Sequence, residues 1–147
     1  MKTTSIAVHV SAVLAISIVS ANAGVNWTAQ AKDAIAGAAL QRDAAESALA
    51  LVRTAMSEAS KQGAGNGNNG STAVVDHHAA AASVAAYVIL ECLFPERRPR
   101  LGIALAVDLA DFPETDQKAV ALAEGRRAAT ELLRSSAQPC RPNVHDY

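Results

Sequence analysis

The chain contains 147 residues, with 13 lysines and arginines against 14 aspartates and glutamates, which gives a net charge of −1 at pH 7. This length suits one domain with one core, and scattered cations without an excess of positive charge argue against nucleic acid as a partner. Aromatic residues make up only 3% of the chain, so Ala, Val, Leu and Ile have to supply the core.

The first 23 residues have the pattern of a cleavable secretory signal. A basic start at Met1-Lys2 precedes a mostly apolar stretch from Ile6 to Val19, and the small residues Ala21 and Ala23 fit the rule for signal cleavage. The stretch is shorter than the roughly 20 apolar residues that cross a bilayer, and His9 interrupts it. We therefore expect cleavage after Ala23, a periplasmic or secreted location and no stable membrane span.

Directly after the predicted signal, apolar residues recur at intervals of three and four, which is typical of amphipathic helices. Two helices are predicted here, and Asp43 near the start of the second suits the positive end of the helix dipole. The apolar positions are Trp27, Ala31, Ile35 and Ala38 in the first helix and Ala45, Ala48, Leu49, Val52, Ala55, Met56 and Ala59 in the second.

Glycine and asparagine dominate residues 63–72. Such residues are costly to order, so we predict a flexible surface loop. A third helix is predicted from about Val74 to Leu93, where Phe94-Pro95 ends it. Its apolar face comprises Ala81, Val84, Ala85, Val88 and Cys92.

Two further helices complete the pattern. The fourth is predicted near Arg100 to Ala110, and the fifth opens with Glu114 and Asp116 and stops before Pro139. Their apolar positions are Leu101, Leu105, Leu109 and Phe112 in the fourth and Leu122, Gly125, Ala129, Leu132 and Leu133 in the fifth. The predicted fold is therefore all-α, a bundle of about five helices over residues 24–138 with an irregular tail over 139–147.

Two cysteines, Cys92 and Cys140, follow the predicted signal. In an oxidising compartment they can pair, which would close a loop of nearly 50 residues and stabilise the fold by about 4 kcal/mol. Because Cys92 lies in a helical stretch, a buried free thiol is the equal alternative. The sequence leaves both open.

Asp76-His77-His78 is the one cluster of metal-type ligands in the sequence. Adjacent helical residues point roughly 100° apart, and the positions four residues beyond the two histidines are Ala81 and Ala82. We therefore expect no metal site, and instead exposed polar residues in the first turn of the third helix.

The remaining motifs indicate no catalytic or cofactor-binding residues. A turn containing Glu96, Arg97, Arg98 and Arg100 could bind an anion, although such turns more often solvate a helix connection. The chain has neither a Gly-x-Ser-x-Gly segment nor a phosphate-cradling loop.

The order of features resembles a known family. Trp27 opens the first helix, the small-residue third helix ends in Leu93-Phe94-Pro95, and a later helix has a Gly-Arg-x-Ala-Ala pattern from Gly125 to Ala129. Together these features resemble the N-terminal helical part of secreted bacterial proteins in the vanadium-dependent haloperoxidase and phosphatidic acid phosphatase type 2 superfamily, over about residues 25–133.

In that superfamily, activity depends on a Lys-x6-Arg-Pro segment and a Pro-Ser-Gly-His segment, together with a later Arg and His, which bind phosphate or vanadate. This chain has no Ser-Gly-His; Arg98-Pro99 has Glu91 where the lysine belongs, and Arg141-Pro142 has Arg134 there. Without converging cations and a histidine, the stabilisation that drives phosphoryl chemistry is missing. The resemblance therefore implies no carried-over catalytic residue and no cofactor.

Two functional interpretations follow. In the first, the chain is an exported helical domain like the non-catalytic half of that superfamily, a truncated member or a part whose catalytic half lies elsewhere, inactive alone. In the second, it is an independent periplasmic helical protein that binds a protein partner. The first predicts apolar surface that the missing half would cover, so that the isolated chain self-associates or melts broadly unless a Cys92–Cys140 bridge or a partner compensates. The second predicts binding through an alanine-rich face, and a sharp two-state transition from a monomer would favour it.

Overall fold

A computed structural model describes residues 24–62, 72–136 and 140. The described residues form five α-helices and no strand, which confirms the predicted all-α bundle. The helices are α1 (Trp27–Gly37), α2 (Arg42–Gln62), α3 (Thr72–Leu93), α4 (Arg98–Ala110) and α5 (Asp116–Ser135), with a 3-10 turn at Pro95–Arg97 between α3 and α4. The predicted loop and tail lie outside the described residues, apart from Thr72 and Cys140.

Helix starts are set by local capping. The Asn26 side chain accepts a hydrogen bond from the backbone nitrogen of Ala29 at 3.0 Å and caps α1. Thr115 caps α5 in the same way through Lys118. The prediction that Glu114 lies in the first turn of α5 is therefore wrong, because the cap at Thr115 places Glu114 before the helix.

Helix α3 lies at the centre of the bundle and packs against each of the other four helices. The sequence predicted one apolar face, but the structure buries this helix on nearly all sides because its alanines let neighbours approach from several directions. Its buried residues are Ala80, Ala81, Ala82, Ser83, Val84, Ala85, Ala86, Ile89, Leu90 and Leu93.

The most extensive packing joins α3 to α5. Gly125 of α5 lies against the backbone of Ala81, and a Cβ added to Gly125 would overlap the Ala81 carbonyl oxygen and lie 3.0 Å from Cβ of Val84. Ala121 and Ala129 continue the contact as buried residues of α5. Small side chains therefore set the distance between the two helices.

The remaining helices contribute unequally to the core. The predicted stripes of α1 and α2 are at least half-buried, with Trp27 and Val52 as their largest fully or nearly fully buried members. In α4 only Leu101 and Asp108 are buried. Helix α4 thus packs along one side, mainly against α3, and leaves the rest of its surface uncovered.

Candidate functional site

Asp76, His77 and His78 lie in the second turn of α3, since the helix begins at Thr72. Nε2 of His77 lies 2.8 Å from Oε2 of Glu124 on α5, and the His77 side chain is only 15% exposed. Nε2 of His78 is buried and has no hydrogen-bond partner among the described residues. The prediction of exposed histidines in a solvated first turn is therefore wrong, because α5 packs over this turn.

Within the described ranges no group of three His, Cys, Asp or Glu side chains converges. His77 instead borders a cavity of about 160 Å³ that Phe112, Pro113 and Lys118 also line. Nζ of Lys118 donates to the carbonyl oxygens of Leu109 and Phe112, at 3.1 and 3.3 Å. Lys118 therefore serves as a cap for the end of α4.

In the turn that contains Glu96, Arg97, Arg98 and Arg100, the three arginines pair with carboxylates from other parts of the chain. Arg97 and Arg100 both contact Oδ2 of Asp33, at 3.1 and 3.0 Å, and Arg98 pairs with Glu91. Burial, with Glu91 nearby, raises the pKa of Tyr87 above its ordinary value. Because carboxylates of the chain itself hold these guanidinium groups, the turn favours a structural role over anion binding.

Asp108 is a charged residue that is only 9% exposed, and its carboxylate binds Trp27, which lies 81 residues earlier in the sequence. Oδ2 accepts a hydrogen bond from Nε1 of Trp27 at 2.8 Å, and Oδ1 accepts one from the backbone nitrogen of Val25 at 2.8 Å. The carboxylate therefore ties the residues before and within α1 to α4. A buried Trp needs a partner for its N–H, and Asp108 supplies it.

Asp108 is not among the residues that the sequence patterns singled out. One sequence feature could have indicated it: Asp108 is the one charged residue in the otherwise apolar run from Leu101 to Ala110. Charged residues are rarely buried unless they are paired, so a lone carboxylate in such a run indicates either a solvated position or a specific partner. The partner lies in another helix and is invisible to local patterns.

Asp108 borders a cleft of about 490 Å³ between α4 and the central helix. Asp76 of α3 and Asp111 beyond α4 add two further carboxylates, while Trp27 and Met56 supply apolar walls. No Lys, Arg or His is among the residues that line this cleft in the described part of the chain. The cleft is therefore an environment that favours a cation over an anion.

The outward surface of α4 is apolar. Ile103 is 68% exposed and Val107 62% exposed. Ala106 and Ala110, also exposed, extend this surface along the helix, and we call these four residues the α4 face. Large aliphatic side chains one helical turn apart form a continuous exposed stripe.

A disulfide joins Cys92 of α3 to Cys140, with 4.6 Å between the two α-carbons. The structure thus contains the bridge rather than a free thiol at either position. The bond ties Cys140, beyond the end of α5, to the central helix.

None of the described helices combines the length and the apolar character that crossing a membrane requires. Comparisons with protein families, with curated proteins and with solved structures find no match for this chain.

Proposed function

We propose that this protein is an exported, non-catalytic helical domain whose role is to pack against another polypeptide through the α4 face. The single observation that carries the proposal is the exposure of Ile103 and Val107 on a helix that has no exposed charged residue between Leu101 and Ala110. Exposed apolar stripes of this kind mark surfaces that a partner covers.

The surroundings of the α4 face favour an apolar partner. Arg98 and Arg100 at the start of α4 are paired with Glu91 and Asp33, and Asp108 points into the bundle to bind Trp27. The charged side chains within α4 are therefore all paired with groups of the chain itself. A helix or sheet surface with aliphatic side chains is the partner chemistry that fits best.

The disulfide supports export, because such bonds persist in oxidising compartments. The resemblance to the N-terminal half of the haloperoxidase and phosphatidic acid phosphatase superfamily supports one identity for the partner, a catalytic half with the Pro-Ser-Gly-His segment. Leu93, Phe94, Gly125 and Ala129, which carry the resemblance, are all buried. They therefore support a shared packing arrangement and contribute no chemistry.

The α4 face predicts concentration-dependent self-association of residues 24–147. Sedimentation velocity should show the shift, and the double variant Ile103→Glu with Val107→Glu should raise the dissociation constant at least about tenfold, since burying a carboxylate in an apolar contact costs more than about 1.4 kcal/mol. Val120→Glu on α5 is the matched control, because Val120 is also half exposed, at 50%. A chain that stays monomeric at all concentrations and binds no apolar dye would argue against the docking role.

Absence of catalysis is a separate expectation. The chain alone should match buffer when assayed with a generic phosphomonoester, and with vanadate, bromide and peroxide, because the sequence has no Ser-Gly-His segment. His77 and Lys118 line one cavity, but Glu124 holds the first and the carbonyl oxygens of Leu109 and Phe112 hold the second. Turnover that survives repurification would refute the non-catalytic assignment.

The two identities of the partner are distinguished by the neighbouring coding sequence. If a flanking frame encodes Lys-x6-Arg-Pro and Pro-Ser-Gly-His, co-expression with this chain should yield a complex with phosphatase or haloperoxidase activity that the double α4 variant disrupts. An unrelated neighbour that binds through the same face would favour the independent binding protein.

A further inference from the structure

We propose that signal cleavage after Ala23 builds an internal ion pair: the new α-ammonium group of Gly24 occupies the acidic cleft and pairs with the carboxylate of Asp108. The inference rests on the expected cleavage position and is independent of the docking role of α4. The cation in the cleft would then be the α-ammonium group of the chain itself.

The geometry places Gly24 directly against the carboxylate. A Cβ added to Gly24 would lie 3.0 Å from Oδ1 of Asp108, and the next backbone nitrogen, that of Val25, donates to the same oxygen at 2.8 Å. The backbone nitrogen of Gly24 is bonded, at about 1.46 Å, to the α-carbon that would carry this added Cβ. Once it becomes the first atom of the chain, a rotation of the terminal residue brings it to Oδ1.

Glycine is the residue that permits this approach. At 3.0 Å a side chain at position 24 would crowd the Asp108 oxygen that the ammonium group needs. The sequence places Ala21 and Ala23, the small residues of a signal cleavage motif, immediately before this glycine. The residue that follows the predicted cleavage point therefore lies against the buried carboxylate, although Gly24 and Asp108 are 84 positions apart in the sequence.

The first residues after the cleavage point are already held in place. Trp27 is 2% exposed and donates its indole N–H to Oδ2 of Asp108 at 2.8 Å. Together with the bond from the Val25 backbone, this ties the residues on both sides of Asn26 to one carboxylate. A terminal ammonium attached to such an anchored segment loses little further entropy when it pairs.

The electrostatics favour the pair. The cleft presents carboxylates from α3 (Asp76), from α4 (Asp108) and from the turn after α4 (Asp111), while α1 and α2 contribute the uncharged Trp27 and Met56. In the precursor the Gly24 nitrogen is a neutral amide, so nothing in the described lining balances these charges. Cleavage supplies a cation at the exposed residue Gly24, beside Asp108, which is only 9% exposed, and the attraction is stronger there than between two fully exposed groups.

Three forms of the protein test the proposal: the full chain, the chain that begins at Gly24, and the latter with an acetylated N-terminus. At pH 6 the form with the free ammonium should have an unfolding equilibrium constant about tenfold smaller than the other two. Equal constants for the free and acetylated forms would overturn the ion pair, since acetylation removes the positive charge of the α-amino group.

The pH dependence has a definite sign. The ordinary pKa of an α-amino group is about 7.7–8.0, and the pair raises it in the folded state. The added stability is therefore fully present below about pH 8 and is lost as pH rises through the raised pKa, whereas the acetylated chain shows no such loss. A difference between the two forms that stays constant from pH 6 to pH 10 would contradict the proposal.

A direct titration does not depend on any variant folding. In protein labelled with nitrogen-15 at Gly24, NMR should report an α-amino pKa at least about one unit above the ordinary range. Asp108→Asn should return it to that range, and Asp111→Asn, at the exposed edge of the same cleft, should change it less. An α-amino pKa at or below its ordinary value in the unsubstituted protein would overturn the proposal, whatever happens to the docking role of α4.

Discussion

Replacing Gly125 by valine is expected to cost more than about 3 kcal/mol in the free energy of unfolding, because overpacking at a backbone contact cannot be relieved by a side-chain rotation. A Cβ at this position overlaps the carbonyl oxygen of Ala81, and the Cβ of Val84 lies 3.0 Å away. The obstacle is the α3 backbone itself. To admit a valine, α5 would have to move away from the helix with which it makes its largest contact.

Urea unfolding followed by circular dichroism at 222 nm measures this loss. Gly102→Ala is the matched control, since Gly102 lies within α4 and a Cβ there meets nothing within 4 Å. That control should be stabilised by about 0.5–1 kcal/mol through helix propensity alone. A Gly125→Val variant that unfolds at the same urea concentration as the original chain would show that α3 and α5 do not pack at this residue.

Removing the disulfide is the second change with a large expected effect. The bond joins residues 48 positions apart, and on the chain-entropy account closing a loop of this size stabilises the folded state by about 4 kcal/mol. Cys92→Ala, Cys140→Ala and the double variant should therefore unfold at similar temperatures, roughly 10–20 °C below the oxidised chain. The three variants should agree because one missing sulfur already opens the loop.

Reductant provides the control for this experiment. It should lower the melting temperature of the oxidised chain to that of the double variant and leave the double variant itself unchanged. If reduction has no effect on a chain that mass spectrometry shows to be oxidised, the bridge contributes nothing to stability. In that case the alanine-rich core would be sufficient by itself.

The core gives a physical reason for the size of both effects. Its buried positions are mostly alanine, and the largest fully or nearly fully buried side chains are Trp27, Phe94, Ile89, Leu90, Leu101 and Val52. Alanine buries little area, and burial contributes only about 25 cal/mol per Å², whereas the entropy cost of ordering the backbone is similar for every residue. The stability of such a bundle therefore depends more on close helix contacts and on the disulfide than the stability of a bundle with a leucine-rich core would.

Local sequence patterns were enough to predict the helices. The spacing of apolar residues at three and four predicted the stripes of α1 and α2, and proline at 95 and 113 marked the interruptions on either side of α4. Helix starts were less well predicted. Thr115 replaces Glu114 at the start of α5 because one capping hydrogen bond decides such a boundary.

The sequence by itself thus determined the helical class and the order of elements, because these follow from periodicity and from residues that break helices. Only the tertiary structure decided which polar groups are paired: His77 with Glu124, Arg97 with Asp33, and Asp108 with Trp27. These partners are 47 to 81 residues apart. Their pairing depends on how close alanine and glycine allow the helices to come, a property of the packed bundle that no single helix encodes.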